Sequence, residues 1–583
     1  MTQSLYAINL ILASCGFLIT IISLYSGFGL PFFYYIGFTF ISIAVILPVV
    51  RDFKYKLLIL SLFSIMIGLI PIIKYGTILW GDPRYEYATM EIFQQQGHFF
   101  IISSALLQPF SYSGFPAIHL IAIQLSALSA IPLYTIAVYA APFLSLLSML
   151  LVERLILLYT KNSKISYLGA LVFVVWPETI FYSSELIRQS LGFLLFLAAL
   201  YFYSSGRLFN DRKYLSLSIV AFVAVVVAHH YSAFALFAVL ASVAILEFLL
   251  SKRTRTNRIF RPGLSQVSVL ALLLLLCMIS FFWLTYAEPV MSSVFNSAIS
   301  ALLNRGQPVQ ATAITVSHAS LEASTPLYMS VLSYLRLGIL GLLTLFGVFF
   351  VLKKRDESAI FHISVLLILA LLFIAGYLFG LTPDPTRNAL FIIYPVSLFV
   401  GFSLYSLGRR FLLILLLCVI ILPTMFSLWG FTYAPTYVYD PGPTGTTYQP
   451  DYCYTPAGYM SAALWLTNNT NYQQSIYVPS DPNVETTLYI YMQPSALYSI
   501  YRVDYRENQV YATGFNVIIA QLAAHNQTNS LIPNTTAGIY FIMSKTFQPT
   551  PAESAYIQTS MTKVYENSDC YIYYRAPTGH IGT

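Results

Sequence analysis

GDPRYEYATMEIFQQQGHF, residues 81–99, follows the third long apolar run of the chain and sets an acid (Asp82), a cation (Arg84) and a second acid (Glu86) at its end, ahead of a short helical pattern. A carboxylate at the mouth of a polytopic membrane protein costs desolvation free energy unless it has a task or a partner. Elsewhere the chain uses charge sparingly: of 583 residues only 9% are charged, 57% are hydrophobic, and the mean hydropathy is +0.71. That composition excludes a soluble domain with a large core and reads as a polytopic α-helical membrane protein.

Apolar runs of about 17–25 residues mark the spans. They lie near 5–27, 31–50, 57–75, 142–159, 165–181, 187–204, 214–229, 233–250, 264–286, 328–351, 359–379, 389–407 and 411–430. The leading MTQS has no basic region, so the first run is expected to stay as an anchor and not to be cleaved as a signal peptide. More than half of the 30 basic residues sit in six short segments at 51–56, 160–164, 206–213, 251–262, 353–355 and 409–410. The positive-inside rule places all six in the cytoplasm. The spans alternate correctly only if the apolar stretch 117–138 does not cross, so it is expected to be a re-entrant or interfacial helix packed on protein. This gives about thirteen crossings. Net charge of +7 follows largely from these orienting loops and is no sign of nucleic acid as a partner.

With that topology the polar connections 81–87, 177–189, 228–232, 287–327 and 382–388 share the extracytoplasmic face with everything after about 431. The chain therefore divides into a membrane domain, 1–430, and an extracytoplasmic domain, 431–583, expected to be mixed α/β. In the latter, a Pro/Gly/Thr/Tyr-rich entry leads to a helical pattern (AGYMSAALWL) and strand-like runs SIYVP, TLYIYM, FNVIIAQ, AGIYFIM and CYIYYRA. Sequons at Asn468, Asn526 and Asn534 fit that side of the membrane. Cys453 and Cys570 flank the domain and are expected to pair in an oxidising compartment.

Outside the cytoplasmic loops the membrane part keeps few cations, among them Arg84, Arg188, Arg336 and Arg387, facing Asp82, Glu86, Glu185 and other acids. Arginine suits planar, bidentate contact with phosphate or carboxylate. Arg336 lies inside an apolar run and needs a carboxylate, a lipid phosphate or water, or else snorkels. His229 and His230 can contact a phosphate or a metal, or be structural; on a helix only one of an adjacent pair faces a given cavity. No Cys/His spacing suggests zinc and the first loop has no clean DxD, so no metal ligand is assigned and a divalent ion stays open as a cofactor. Acids and arginines at a lipid-facing cavity suit transfer of a sugar from a lipid phosphate. Cations stabilise the departing phosphate and a carboxylate takes the acceptor proton. A hydrolase would instead place an acid and a base on either side of the bond.

These stretches resemble the GT-C superfamily of polyprenyl-phosphate-dependent glycosyltransferases. The likeness covers residues 81–99, the Pro-led apolar helix after them, SSELIRQSLGFLLFLAALYFY, HHYSAFALF and DPTRNALFIIYP. It is similar to the aminoarabinose and protein-mannosyl transferase branch, and to archaeal membrane proteins of this kind. The resemblance implies a polyprenyl-phosphate sugar as donor, a glycan, lipid or protein as acceptor, and membrane lipid as partner. The family's first-loop catalytic carboxylate falls on Asp82, expected on a constrained loop between Gly81 and Pro83, with Glu185 and Glu86 next in line. Its donor-phosphate arginines are matched by Arg387 and Arg188, with Arg84, Arg336, His229 and His230 completing the candidate set. DPRYEY is also similar to the DPxYxxR pattern of archaeal oligosaccharyltransferases, but their WWDYG motif is absent, and two additional spans precede the motif here. An oligosaccharyltransferase-like enzyme and a non-catalytic surface or assembly protein built on this body are the alternatives. A transporter is disfavoured, because the spans lack repeated halves and buried acid–base relays.

Overall fold

The computed structural model describes residues 2–25, 31–50, 55–75, 78, 81–97, 114–253, 262–285, 287, 322–323, 327–353, 357–379, 386–407, 409–416, 424, 438–439, 447–448, 457–469, 475–479, 500–504, 509–512, 539–544, 562–566 and 570–575. The chain divides into two compact units, one of residues 1–76 and 138–449, the other of 77–137 and 450–583.

The first unit is a helical body. It contains α1 (Thr2–Tyr25), α2 (Pro31–Val50) and α3 (Lys56–Tyr75). The second unit takes the next segment, α4 (Gly81–Gln96) and α5 (Ala117–Ser129), and α6 (Leu133–Tyr139) crosses the division. The body resumes with α7 (Ala141–Thr160), α8 (Ser163–Val174), α9 (Pro177–Tyr182), α10 (Arg188–Phe209), α11 (Arg212–Ala228), α12 (His230–Arg253) and α13 (Pro262–Thr285). It ends with α14 (Leu327–Lys353), α15 (Glu357–Phe379), α16 (Thr386–Ser406) and α17 (Arg409–Leu415). A small antiparallel sheet joins β1 (Glu322–Ala323), β3 (Thr447–Tyr448) and β2 (Val438–Tyr439) in that order.

Short polar side chains end and restart these helices. Lys161 adopts a left-handed conformation (φ 50°) after α7, and Asn162 Oδ1 then accepts the N–H groups of Lys164 and Ile165 at 2.9 and 3.3 Å. Asn210 (φ 52°) closes α10 in the same way, and Asp211 caps α11 through the Lys213 N–H at 2.8 Å. Asn and Asp tolerate the left-handed region and supply the missing acceptor. α1 and α2 cross where Gly16 and Gly37 face each other's backbones; a side chain on Gly16 would meet Ile41 N at 2.6 Å.

Among the described residues five helices are long and apolar enough to cross a membrane: Tyr6–Leu24, Lys56–Lys74, Ala141–Thr160, Arg188–Phe209 and Ala389–Ser406. The span expected over 165–181 is two elements instead. α8 stops at Val174, Trp176 is extended (ψ 138°), and Pro177 opens α9, because proline holds its predecessor out of the helical region and cannot donate to the turn before it. The apolar stretch 117–138 also divides, at left-handed Ala130 (φ 58°) ahead of Pro132. Most of the span expected over 411–430 lies outside the described residues.

The second unit also holds a six-stranded mixed sheet, in the order β6 (Gln509–Ala512), β5 (Ile500–Asp504), β4 (Ser475–Pro479), β7 (Ile539–Ser544), β9 (Cys570–Arg575) and β8 (Thr562–Glu566). β4 runs parallel to β5 and β7, and the remaining pairs are antiparallel. The helix α18 (Ala457–Asn469) lays Trp465 against the sheet, its ring centroid 5.3 Å from Tyr565 and 6.2 Å from Tyr540. Strands stand at SIYVP, within AGIYFIM and at CYIYYR, whereas TLYIYM and FNVIIAQ lie outside the described residues. Cys570 is buried in β9; its expected partner Cys453 is outside the described residues, as are Asn526 and Asn534.

Candidate active site

Three helices of the first unit begin side by side. α10 opens at Arg188, after Ile187 in an extended conformation that offers no side-chain cap. α11 stops at Ala228, His229 is extended (φ −163°, ψ 124°), and α12 opens at His230. Gly192, one turn into α10, lets the first turns of α10 and α12 close on each other: a Cβ there would lie 2.5 Å from Ser232 Oγ and 2.6 Å from His229 Cβ. The third helix, α16, enters through Phe391, whose ring centroid lies 5.5 Å from Phe193, 5.2 Å from Phe196 and 5.3 Å from Tyr231. Arg387 occupies the first turn of α16, one helical turn before Phe391.

This clustering sums the positive ends of three helix dipoles, each equivalent to roughly half a charge, with Arg188 and the two histidines. The two histidines are not successive residues of one helix, as the sequence suggested. The break at His229 sets the rings side by side, with centroids 4.8 Å apart, and His229 Nδ1 is 3.0 Å from Ser232 Oγ. His229 is buried and His230 and Arg188 are partly exposed.

The approach to α10 is a buried polar turn. Glu178 in the first turn of α9 and Glu185 beyond its end are both buried. Ser190 Oγ donates to the Glu185 carbonyl at 2.9 Å, and the Ile187 N–H donates to the same carbonyl at 3.1 Å, which fixes the connector. Glu185, Arg188, His229, His230 and the backbone of Arg387 thus belong to the first unit, with α10, α12 and α16 meeting through Gly192 and Phe391.

Asp82, Arg84 and Glu86 belong to the second unit. Asp82 is in the first turn of α4 and not on a loop: Pro83 follows, and proline is tolerated in a helix's first turn, where its missing N–H has no intrahelical acceptor. Arg84 is fully buried and its Nε donates to the Ile78 carbonyl at 3.3 Å. Glu86 is also buried, its Oε2 2.6 Å from Nε2 of His119 on α5. The ring of Phe93 meets His119 edge-on at 5.5 Å. One turn along α4, the Tyr87 hydroxyl donates to Glu91 Oε1 at 2.6 Å, and Tyr134 packs edge-on against Tyr87 at 5.5 Å. Burial pushes the Glu91 carboxyl up to about 7, against the lowering effect of the Tyr87 bond. Sequence reasoning missed His119 and did not single out Glu91. The available signal for His119 was an imidazole alone in a charge-free apolar stretch. Arg336 lies ten residues into α14 by position. Among the described residues no group of three or more His, Cys, Asp or Glu side chains is placed to hold a metal ion.

No protein-family model matches the sequence, and no curated protein matches it. Solved structures do. ArnT from Cupriavidus metallidurans, solved bound to undecaprenyl phosphate, matches with a TM-score of 0.51 at 11% identity, over 90% of this chain and 99% of that one. The archaeal oligosaccharyltransferase AglB from Archaeoglobus fulgidus, solved with an inhibitory peptide and a dolichol-phosphate, matches with a TM-score of 0.50 at 12% identity, over 77% of this chain. The arabinofuranosyltransferase AftD from Mycobacteria gives 0.50 at 12% over 91% of this chain. The chain spans only 64% of the AglB structure and 42% of AftD. The chain thus shares the fold of these solved membrane-enzyme structures, and five of its described helices are long and apolar enough to cross a membrane.

Proposed function

We propose that this protein is a membrane glycosyltransferase that moves a sugar from a polyprenyl-phosphate carrier to a glycan, lipid or protein acceptor at the outer face of the membrane. The observation that carries the reading is the convergence of the α10, α12 and α16 N-termini around Gly192 and Phe391, with Arg188, His229 and His230 beside them. Helix N-termini bind phosphate through free N–H groups and the dipole.

In this reading the phosphate of the donor sits at those N-termini, with Arg188 and Arg387 as its main cations and His229 and His230 beside it. Arg336 and Arg84 are the further candidates for that field. The acceptor hydroxyl or amide attacks the anomeric carbon from the side opposite the phosphate. As the new bond forms, the bond to the phosphate oxygen breaks with inversion, and the acceptor proton passes to Asp82. Glu185 is an alternative base. Glu86 is another, although its bond to His119 suits it better to holding α4 in place.

The test is binding of undecaprenyl phosphate and dolichyl phosphate to the full-length protein in phosphatidylcholine nanodiscs, followed by turnover with a panel of polyprenyl-phosphate hexoses and pentoses. Saturable binding that Arg188→Ala weakens about tenfold or more, as expected for loss of one charge-assisted contact, supports the reading. Wild-type protein that binds neither lipid phosphate overturns it.

A further inference from the structure

Among the described residues, the α5–α6 hairpin presents an exposed apolar face. α5 buries Ile118, His119, Ala122 and Ser126, and its opposite side shows Ile121 and Leu125 about half exposed and Leu128 88% exposed; Ile131 beyond the turn is 44% exposed. No Lys, Arg, Asp or Glu occurs from Pro116 to Val152. At 13 residues α5 is about 20 Å long, short of the roughly 30 Å hydrocarbon layer.

The turn itself carries an independent mark. A water-exposed turn leaves its peptide groups to solvent and favours Gly, Asn or Asp. Here the turn is Ala127-Leu128-Ser129-Ala130-Ile131-Pro132, with Ala130 left-handed at φ 58°. Two serine hydroxyls take up three of the peptide groups around it. Ser126 Oγ donates to the Ile131 carbonyl at 2.7 Å, and Ser129 Oγ accepts the Ile131 N–H at 3.3 Å and donates to the Leu125 carbonyl at 2.6 Å. Pro132 has no N–H to satisfy. Hydroxyls that take up the Leu125 and Ile131 carbonyls and the Ile131 N–H lower the cost of placing this turn in hydrocarbon, where no water can satisfy them.

We infer that the α5–α6 turn is inserted in the bilayer, with Ile121, Leu125, Leu128 and Ile131 among the acyl chains of one leaflet and the buried face of α5 turned to protein. Two side chains of the hairpin reach α4: His119, bonded to Glu86, and Tyr134, packed edge-on against Tyr87. Lipid insertion therefore fixes the helix that carries Asp82 relative to the leaflet. The insertion does not depend on glycosyl transfer, and its test uses no donor.

The experiment places the photoreactive residue benzoylphenylalanine at position 128 (Leu128→benzoylphenylalanine) in the full chain, in phosphatidylcholine nanodiscs, with Leu125 as a second site. The same residue at Val564, exposed on β8 of the sheet, is the reference. After irradiation, intact-protein mass spectrometry is expected to show a one-phospholipid adduct at 128 and 125 and none at 564. Size-exclusion profiles establish that each variant is folded. A covalent dimer at 128 would assign the face to a second copy of the chain, and the absence of any adduct at 128 and 125 in monodisperse protein would leave the turn in water. Either result overturns the inference.

Discussion

Replacing Gly192 by alanine tests the geometry of the three helix starts directly. The added carbon would lie 2.5 Å from Ser232 Oγ and 2.6 Å from His229 Cβ. Carbon atoms rest at about 3.5–4.0 Å, so the crossing must open by about 1 Å. The serine hydroxyl can rotate away, at the expense of its 3.0 Å contact with His229 Nδ1. His229 Cβ cannot, because it is fixed to the backbone, and the first turn of α10 or α12 must move. Overpacking of this kind costs about 1–3 kcal/mol, and the better helix propensity of alanine offsets about 1 kcal/mol of it. The fold therefore survives with a melting temperature lowered by a few degrees. The larger effect falls on the ligand. A hydrogen bond lengthened by about 1 Å is lost, and a charge-assisted one is worth about 1.5–3 kcal/mol, or roughly 10–100-fold in affinity. The assay is undecaprenyl phosphate binding in nanodiscs alongside thermal unfolding, for wild type, Gly192→Ala and Gly338→Ala. Gly338 lies on α14 with nothing within 4 Å of its Cβ position, so it reports the generic effect of a helical methyl group. A Gly192→Ala protein that loses stability yet binds lipid phosphate like wild type would show that the crossing is architectural and would refute the site.

Four further outcomes are expected. Cysteines introduced at Ser103 and Ser480 label from the same, non-cytoplasmic side in intact cells; labelling from opposite sides removes the topology on which the outer-face site depends. Arg387→Lys weakens donor binding, because a planar two-pronged contact becomes a point charge, and unchanged affinity in both the Lys and Ala variants marks this arginine as structural. Glu91 takes up a proton on folding between its ordinary 4.5 and about 7, so the folded state binds more protons than the unfolded one in that window. Stability is then highest below pH 4.5 and falls by about 2–3 kcal/mol as the pH rises to 7; unfolding of Glu91→Gln measured across the same range should lack this component. Asp82→Asn keeps the shape of the side chain without the proton acceptor, and a loss in turnover of about 100-fold or more with donor binding intact is expected; normal turnover would move the base to Glu185 or Glu86.

Apolar run length located helices well because a helix in lipid must be apolar over most of its surface, and α2, α3, α7, α10 and α16 begin and end within a few residues of the runs read from the sequence. Reading by run length fails where backbone chemistry interrupts an apolar stretch. Pro177 breaks 165–181 and Ala130–Pro132 breaks 117–138, although hydropathy barely changes at either place. The site was legible as residue types and not as geometry. Arg188, His229 and His230 could be selected as rare polar groups among apolar ones, but their meeting depends on Gly192 and Phe391, which carry no charge and look like ordinary membrane residues. The Glu86–His119 pair joins residues 33 positions apart, and no periodicity links an acid on one short helix to an imidazole on the next.

The capping pattern supplies a physical reason for reading the three helix starts as a binding place. The first N–H groups of any helix need acceptors. After the basic loops 160–164 and 206–213 those acceptors are built in: Asn162 caps α8 and Asp211 caps α11 with their own side chains. At α9 and α10 the residues in the capping position are Trp176 and Ile187, both extended and neither capping the turn that follows with its side chain. A bulky apolar residue at that position forgoes about 1 kcal/mol of capping free energy, and it brings no negative charge to the positive end of the helix. The start of α10 carries Arg188 and stands against the equally abrupt start of α12 at His230. A phosphate at this end meets the cations and the helix dipoles together. On this argument Ile187→Asp, which installs a carboxylate at the positive end of the helix, should stabilise α10 and at the same time weaken lipid-phosphate binding, because the new side chain carries the same sign of charge as the ligand. Opposite signs for the two effects distinguish a ligand site from a helix end that is merely uncapped, for which the Asp variant would be more stable and bind unchanged.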